Sequence, residues 1–232
     1  MSKAVSRLAL AASVLFAMVF TFSCSSDDEG GGGSSPSQPS SSSNAHIGKG
    51  NNISNYRTVV IGTQTWMAEN LDYVVEGSKC YSDNPARCNT YGSLYDWATA
   101  MGFDERCNSS SCSSQIQSPH RGICPDGWHI PSDEEWTTLT DFVGSDAGTK
   151  LKSATGWTSG NGTDDYEFSA LPGGHAYFRT NSDGVGSAGY WWSASESSGA
   201  YAYYRIIGSS SEVTRTSNNF KSYSYSVRCV KD

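Results

Sequence analysis

Basic side chains are scarce in this 232-residue chain: 16 Lys and Arg stand against 23 Asp and Glu, a net charge of −7. Nucleic-acid binding needs clustered Lys and Arg against phosphate, so that class is excluded. Catalytic signatures are missing as well. There is no Gly-x-Ser-x-Gly elbow, no His-Glu-x-x-His helix and no phosphate loop. Seven cysteines occur, yet none form Cys-x-x-Cys, so a zinc thiolate site has no spacing to rest on. Beyond the N-terminal apolar run no second long one follows, and nothing else reads as a membrane span. Aliphatic residues are sparse, whereas Gly, Ser, Tyr and Trp are plentiful. A core of that composition is small, aromatic and loop-rich, the kind that disulfides reinforce.

The N-terminal run has the form of a leader. Lys3 and Arg7 precede an uncharged apolar stretch from Leu8 to Phe22, shorter than the roughly 20 residues of a spanning helix. Residues 1–23 are therefore expected to be a lipoprotein signal peptide, with Cys24 as the lipidated residue. Ser23 resembles the residue before the cysteine of a lipobox, while Thr21 departs from the usual Leu. The alternative is an ordinary secretory signal cut nearby, leaving Cys24 as a stray thiol. The acidic run Asp27-Asp28-Glu29 resembles the tags of lipoproteins exported to the outer leaflet, which makes an outer membrane lipoprotein exposed on the cell surface the expected location. Residues 24–52, rich in Gly, Ser and Pro, cannot bury enough surface to become ordered and read as a flexible tether. About 20 such residues have a mean span of roughly 25 Å. His46 falls in this tether and is expected to be inert.

Residues 53–232 fit one domain. Cys80, Cys88, Cys107, Cys112, Cys124 and Cys229 remain once Cys24 is set apart, an even set that suits three disulfides with 15 possible pairings. Leu94, Trp97, Ala98 and Met101 share one face of a helix predicted over 90–101, capped by Asn89 or Thr90 and stopped at Gly102. Ser132-Asp133-Glu134-Glu135 reads as a capping box, with Trp136, Leu139, Phe142 and Val143 facing inward and Gly144 ending the helix. The carboxylates at 133–135 thus have a structural task. Segments 56–61 and 65–68 flank Gly62-Thr63-Gln64 as a hairpin, and 190–193, 201–207 and 224–230 are further β-prone segments. Between Gly144 and Gly189 the glycine-rich chain reads as an extended, mostly irregular loop region with short strands.

Several motifs in order carry a resemblance. They are the segment from Gly62 to Leu71 (GTQTWMAENL), Tyr91 to Ala100 (YGSLYDWATA) and Cys124 to Ser132 (CPDGWHIPS). Phe168 to Gly174 (FSALPGG), Tyr190-Trp-Trp-Ser193 and Ser226 to Lys231 (SVRCVK) follow. Over residues 55–232 the chain resembles the Fibrobacter succinogenes major paralogous domain, which is similar to the formylglycine-generating-enzyme and C-type-lectin-like superfold. The resemblance implies an α+β, C-type-lectin-like fold with two helices on a twisted antiparallel sheet and a long irregular loop region. Together with proximity in sequence it implies the pairs Cys80 with Cys88, Cys107 with Cys112 and Cys124 with Cys229. The related formylglycine-forming enzymes use two active-site cysteines; with Cys229 in a disulfide that activity is not carried over.

Binding is the expected function, and catalysis is not. Sugar rings present C–H faces that stack on aromatic rings, while their hydroxyls bond amides and carboxylates. Trp157, Tyr177 and Tyr190 lie in or beside the loop region, interspersed with Asp164, Asp165, Asn181, Asp183 and Glu196. Solvated turns are the competing reading for the polar ones. His129 reads as semi-buried and structural, His120 as part of a surface segment, and His175 as a turn residue that could meet a ligand. Asn181-Ser-Asp-Gly184 resembles half of a calcium loop without its closing Glu, and the Glu-Pro-Asn and Trp-Asn-Asp motifs of calcium-dependent lectins are absent. No cofactor or metal is assigned, and calcium stays open. The expected partners are the membrane, through Cys24, and polysaccharide. The alternatives are a structural component interacting with envelope proteins and an enzyme with two carboxylates assembled in space.

Overall fold

Gly62, at φ +61°, turns the chain tightly enough for the flanking β-prone segments to pair. Strand β1 (Thr58–Ile61) and β2 (Gln64–Met67) run antiparallel with Ile61 opposite Gln64, so the predicted hairpin forms around two residues. The computed structural model describes residues 46–177 and 181–232; the expected signal peptide, Cys24 and most of the expected tether lie outside the described residues.

The protein is α+β. Four short α-helices accompany two sheets among the described residues. The helices are α1 (Pro85–Tyr91), α2 (Trp97–Met101), α3 (Asp133–Val143) and α4 (Ala147–Leu151). After the hairpin come β3 (Trp128–His129), β4 (Gly173–Tyr177), β5 (Asn181–Val185), β6 (Gly189–Ser198), β7 (Tyr201–Ile207), β8 (Val213–Thr216) and β9 (Val230–Lys231). One sheet has the order β1-β2-β9-β3 and the other β5-β4-β6-β7-β8. Among the described residues no helix is long and apolar enough to cross a membrane.

Helix α3 follows its capping pattern. Glu135 N–H donates to Ser132 Oγ at 3.1 Å, and Ser132 N–H donates to the Glu135 carboxylate at 2.8 Å. Trp136, Leu139 and Val143 are buried. Phe142 is 56 % exposed, contrary to the expected inward stripe. It lies at the edge of that stripe, close over Gly62 and edge-on to Tyr166 at 6.1 Å.

The predicted helix over 90–101 is two helices. Pro85 and the Asn84 cap start α1 early, with Ala86 N–H donating to Asn84 Oδ1 at 3.0 Å. Gly92 then breaks it at φ +77°; a Cβ there would stand 2.9 Å from the Leu71 carbonyl, an approach only glycine permits. Leu94 and Tyr95 run extended, and Asp96 caps α2 by accepting from Thr99 N–H at 2.8 Å. Gly102 ends it in the left-handed conformation, as expected. The four apolar residues are all buried, but Leu94 arrives by an extended segment.

Three further departures follow from local geometry. Positive φ at Gly48 and Gly50 curls residues 46–50, expected in the tether, onto Asp72. The amides of Lys49 and Gly50 donate to its carbonyl at 2.7 and 3.2 Å, and His46 Nε2 lies 2.6 Å from its carboxylate. Within 144–189 the chain forms α4, β4 and β5, and among the described residues the long irregular stretch is 152–172. The segment expected as a strand over 224–230 is regular only at β9; Ser224, Tyr225 and Ser226 make isolated bridges to Ala176, Tyr95 and Trp191.

Two aromatic-rich clusters fill the core, one around Trp97, Trp192 and Tyr225, the other around Trp66, Trp136 and Trp191. The disulfides are Cys80–Cys88, Cys107–Cys112 and Cys124–Cys229, the pairs that the resemblance implies. Cys124–Cys229 spans 105 residues, and closing a loop of that length restricts the unfolded chain most. Replacing both Cys124 and Cys229 by Ser is expected to lower unfolding free energy in urea by about 4–5 kcal/mol. The corresponding pair of changes at Cys107 and Cys112, five residues apart, should cost clearly less in the same titration.

Candidate functional site

Alternation along β4 buries Gly174 and Ala176 and turns the rings of His175 and Tyr177 to the partly exposed side. Strand β5 lies against it with Asp183 opposite His175 and Asn181 opposite Tyr177. Gly174 allows this close pairing: at φ +67° its absent Cβ would stand 2.5 Å from the Asp183 carbonyl. From the other side the 223–226 segment enters where β4 and β6 diverge, bonded to Ala176 and to Tyr190. Rings from three segments therefore meet. His175 stacks on Tyr177 at 5.5 Å and on Tyr223 at 6.0 Å, and approaches Tyr190 at 4.6 Å. Tyr223 approaches Tyr177 at 5.7 Å. These rings form a half-exposed aromatic ledge edged by the exposed polar side chains of Asn181 and Asp183.

Burial keeps the His175 ring uncharged. Burial pushes the His175 pKa down against the opposing Asp183 carboxylate, so the ring is neutral at pH 7. Its Nδ1 is buried and has no hydrogen-bond partner among the described residues. Burial, then Asp183, pushes the Tyr190 hydroxyl up.

A buried cation shapes what lies next to the ledge. Lys221 is fully buried, donates to the Gly199 carbonyl at 3.1 Å, lies 3.3 Å from Glu196 Oε2 and stands 4.2 Å over the Trp97 ring. Lys221 points inward from a tight turn, closed by the Tyr223 N–H donating to the Phe220 carbonyl at 2.9 Å, while Phe220 and Ser222 on either side of it are exposed. Phe220 is 45 % exposed, stacks on Tyr201 at 5.0 Å and lies 6.4 Å from Tyr223. It also lines a groove of about 830 Å³ together with Lys79, Asp96, Asp104, Glu105 and Asn108. Lys79, Asp96, Asp104 and Glu105 continue into a neighbouring groove of about 900 Å³ that includes Val75, Phe103 and Ile123.

Of the residues singled out in sequence, Tyr177, Asn181, Asp183 and Tyr190 come together here. Trp157 does not: it is 6 % exposed in the core, its indole N–H shared between Ser153 Oγ and the Ala170 carbonyl. Asp164 holds a turn by accepting from the Ser169 amide and hydroxyl, both at 2.7 Å. Asp165 is exposed in the irregular segment. Glu196 is withdrawn into the Lys221 pair and accepts from Cys112 N–H at 2.9 Å. Asn181-Ser-Asp-Gly184 forms β5 rather than an open cation loop, with Asp183 accepting from Gly184 N–H. His175, placed in a turn by sequence, is in β4. Tyr223, Phe220 and Tyr201 were missed, because no local pattern shows that Lys221 turns inward between Phe220 and Ser222.

The other histidines are structural in different ways. His120 is buried, contrary to its expected surface position, with Nε2 2.9 Å from the Met101 carbonyl and its ring against Phe103. His46 approaches Cys80 and Cys88, but both sulfurs are spent in their disulfide and offer no thiolate to a metal. His129, at the wall of a cavity of about 940 Å³, bridges Glu135 at 2.8 Å and Asp232 at 2.7 Å. Burial lowers its pKa, but the two carboxylates outweigh that and hold it above the usual histidine value. Asp133, far from idle at the helix start, accepts from both Arg205 and Arg215 at 2.7 Å; burial raises its pKa, and the two guanidiniums more than reverse that.

A raised folded pKa stabilises the protein fully below the unfolded value of about 6.5 and loses that contribution as pH rises through the folded value. The urea midpoint is accordingly expected to fall as pH rises from about 6.5. His129→Gln should be less stable at low pH and should flatten this slope, measured by urea titrations at several pH values.

The model of the Fibrobacter succinogenes major domain matches residues 59–231. No curated protein and no solved structure matches the chain.

Proposed function

We propose that this chain, which belongs to the Fibrobacter succinogenes major domain family, is a non-catalytic binding module for polysaccharide. We read its arrangement as C-type-lectin-like, with α3 packed beside the sheets and the irregular 152–172 segment as the long loop region. A lipid anchor on Cys24 would carry the module on the outer face of the outer membrane.

The observation that carries the binding reading is the ledge of His175, Tyr177, Tyr190 and Tyr223 with Asn181 and Asp183 at its edge. Neutral, half-exposed ring faces suit the C–H faces of sugars, and the amide and carboxylate suit their hydroxyls. Some of the groups that could serve in catalysis have structural partners instead. Both ring nitrogens of His129 meet carboxylates, and the six domain cysteines are in disulfides. A second reading, docking to an envelope protein, draws on Val60, which is 68 % exposed on the edge strand β1, and on Phe142 nearby.

Affinity gels containing soluble glucans, xylans and mannans test the binding reading. At least one should retard the protein, and Tyr177→Ala or Tyr223→Ala should weaken that binding about tenfold, the order of one aromatic contact. Absence of retardation in every gel would overturn it, and co-purification with an envelope protein, lost on Val60→Glu, would then favour the second reading. For the anchor, palmitate labelling should mark the wild-type chain in cells, and Cys24→Ser should abolish the label and release the protein from the membrane fraction.

A further inference from the structure

We infer that the ledge is one end of a longer site, continuing across Phe220 into the adjoining groove, and that it holds several consecutive units of a linear, uncharged polysaccharide. This rests on the polysaccharide reading above and narrows its ligand.

Phe220 is the hinge of the inference because it belongs to both features. Its ring lies 6.4 Å from Tyr223 on the ledge side and 5.0 Å from Tyr201, and it also forms part of the groove wall. Tyr201 stacks on Phe220 at 5.0 Å, so that pair offers one platform rather than two, and from Tyr177 through Tyr223 to Phe220 successive centroids are 5.7 and 6.4 Å apart. That spacing is comparable to the pitch of sugar rings along an unbranched chain, so one chain can meet successive rings with successive units. A single sugar would leave most of this surface wet. The grooves beyond Phe220, about 830 and 900 Å³ with four shared residues, are each far larger than one sugar unit.

Rigidity supports the same conclusion. Phe220 and Ser222 flank Lys221, whose Nζ is fixed by the Gly199 carbonyl and Glu196 beneath the surface. The platform is thus anchored before any ligand arrives, which reduces the ordering cost of binding.

Charge selects the ligand class. The groove presents the carboxylates of Asp96, Asp104 and Glu105 beside Lys79 and Arg106. Asp96 and Asp104 each cap a helical turn through one oxygen, which holds their carboxylates in place to accept hydroxyl hydrogens. A uronate or sulfated chain would bring like charge to this wall and to a protein of net charge −7. Neutral chains meet no such penalty.

The test uses the full chain in detergent, calorimetry with cello-, xylo- and manno-oligosaccharides of one to six units, and an affinity gel with polygalacturonate. In the series that binds, affinity should rise at least tenfold from the disaccharide to the hexasaccharide, with no retardation by polygalacturonate. Phe220→Ala should flatten the length dependence. Ser222→Trp, which blocks the groove mouth without removing a core contact, should weaken the hexasaccharide and spare the disaccharide. Affinity that levels off at one or two units, length dependence unchanged in both variants, or tight binding of polygalacturonate would overturn the extended site while leaving sugar binding at the ledge intact. No binding of any glycan would overturn the underlying reading itself.

Discussion

A fully buried guanidinium ties segments distant in sequence together beside the Trp66, Trp136 and Trp191 cluster. Arg228, in the extended segment just before β9, donates to Asn70 Oδ1 at 3.0 Å and to the carbonyls of Phe168 and Ser169, with its carbon 4.2 Å over the Phe168 ring. Among the described residues no carboxylate bonds it, and burial pulls its pKa down to about 9. Taking such a cation from water costs several kcal/mol, so carbonyl dipoles and ring faces must surround it closely to compensate. Asn70 is shared further: it accepts from the Trp191 indole at 2.8 Å and donates to the Tyr91 carbonyl and to Ser226. Segments distant in sequence are thereby tied to one charge. Five of the six motifs that carry the family resemblance meet here, all but the one from Cys124 to Ser132, so this charge explains their place in the scaffold.

Lys221 repeats the device nearer the surface, with a carboxylate added. Its inward ammonium draws in Glu196, Gly199 and the Trp97 face, while Phe220 and Ser222 in the same turn stay exposed. Thus a buried polar network and an exposed aromatic surface are two sides of one turn. The disulfide from Cys124 to Cys229 fastens the segment next to Arg228, so the positions that frame the ledge are held by covalent and polar restraints together.

Much of the local structure was legible because its causes are local. The Ser132–Glu135 capping box, the Gly62 turn and the Gly102 stop each act within four residues, and each appears as read. Where distant contacts decided, the reading failed. The helix expected over 90–101 ignores that Gly92 must let Asn70 and Leu71 pass closely. Half of the candidate site was visible as aromatic and polar residues around 177–190. Trp157 and Glu196 share that composition but are consumed by the core, because burial depends on which segments pack over them. Phe220 and Tyr223 were invisible for the complementary reason: nothing local says that Lys221, a residue usually solvated, points inward.

Composition and spacing by themselves determined an acidic, aromatic domain with an even set of cysteines for disulfides and a capped helix at Ser132, because charge, cysteine parity and short-range caps need no folded context. The tertiary structure alone decided which aromatics face solvent, which carboxylates are spent on buried cations, and that rings from β4, β6 and the 220–225 segment share one ledge. The reason is physical: exposure and pairing are properties of surfaces brought together over more than a hundred residues, and no local pattern encodes them.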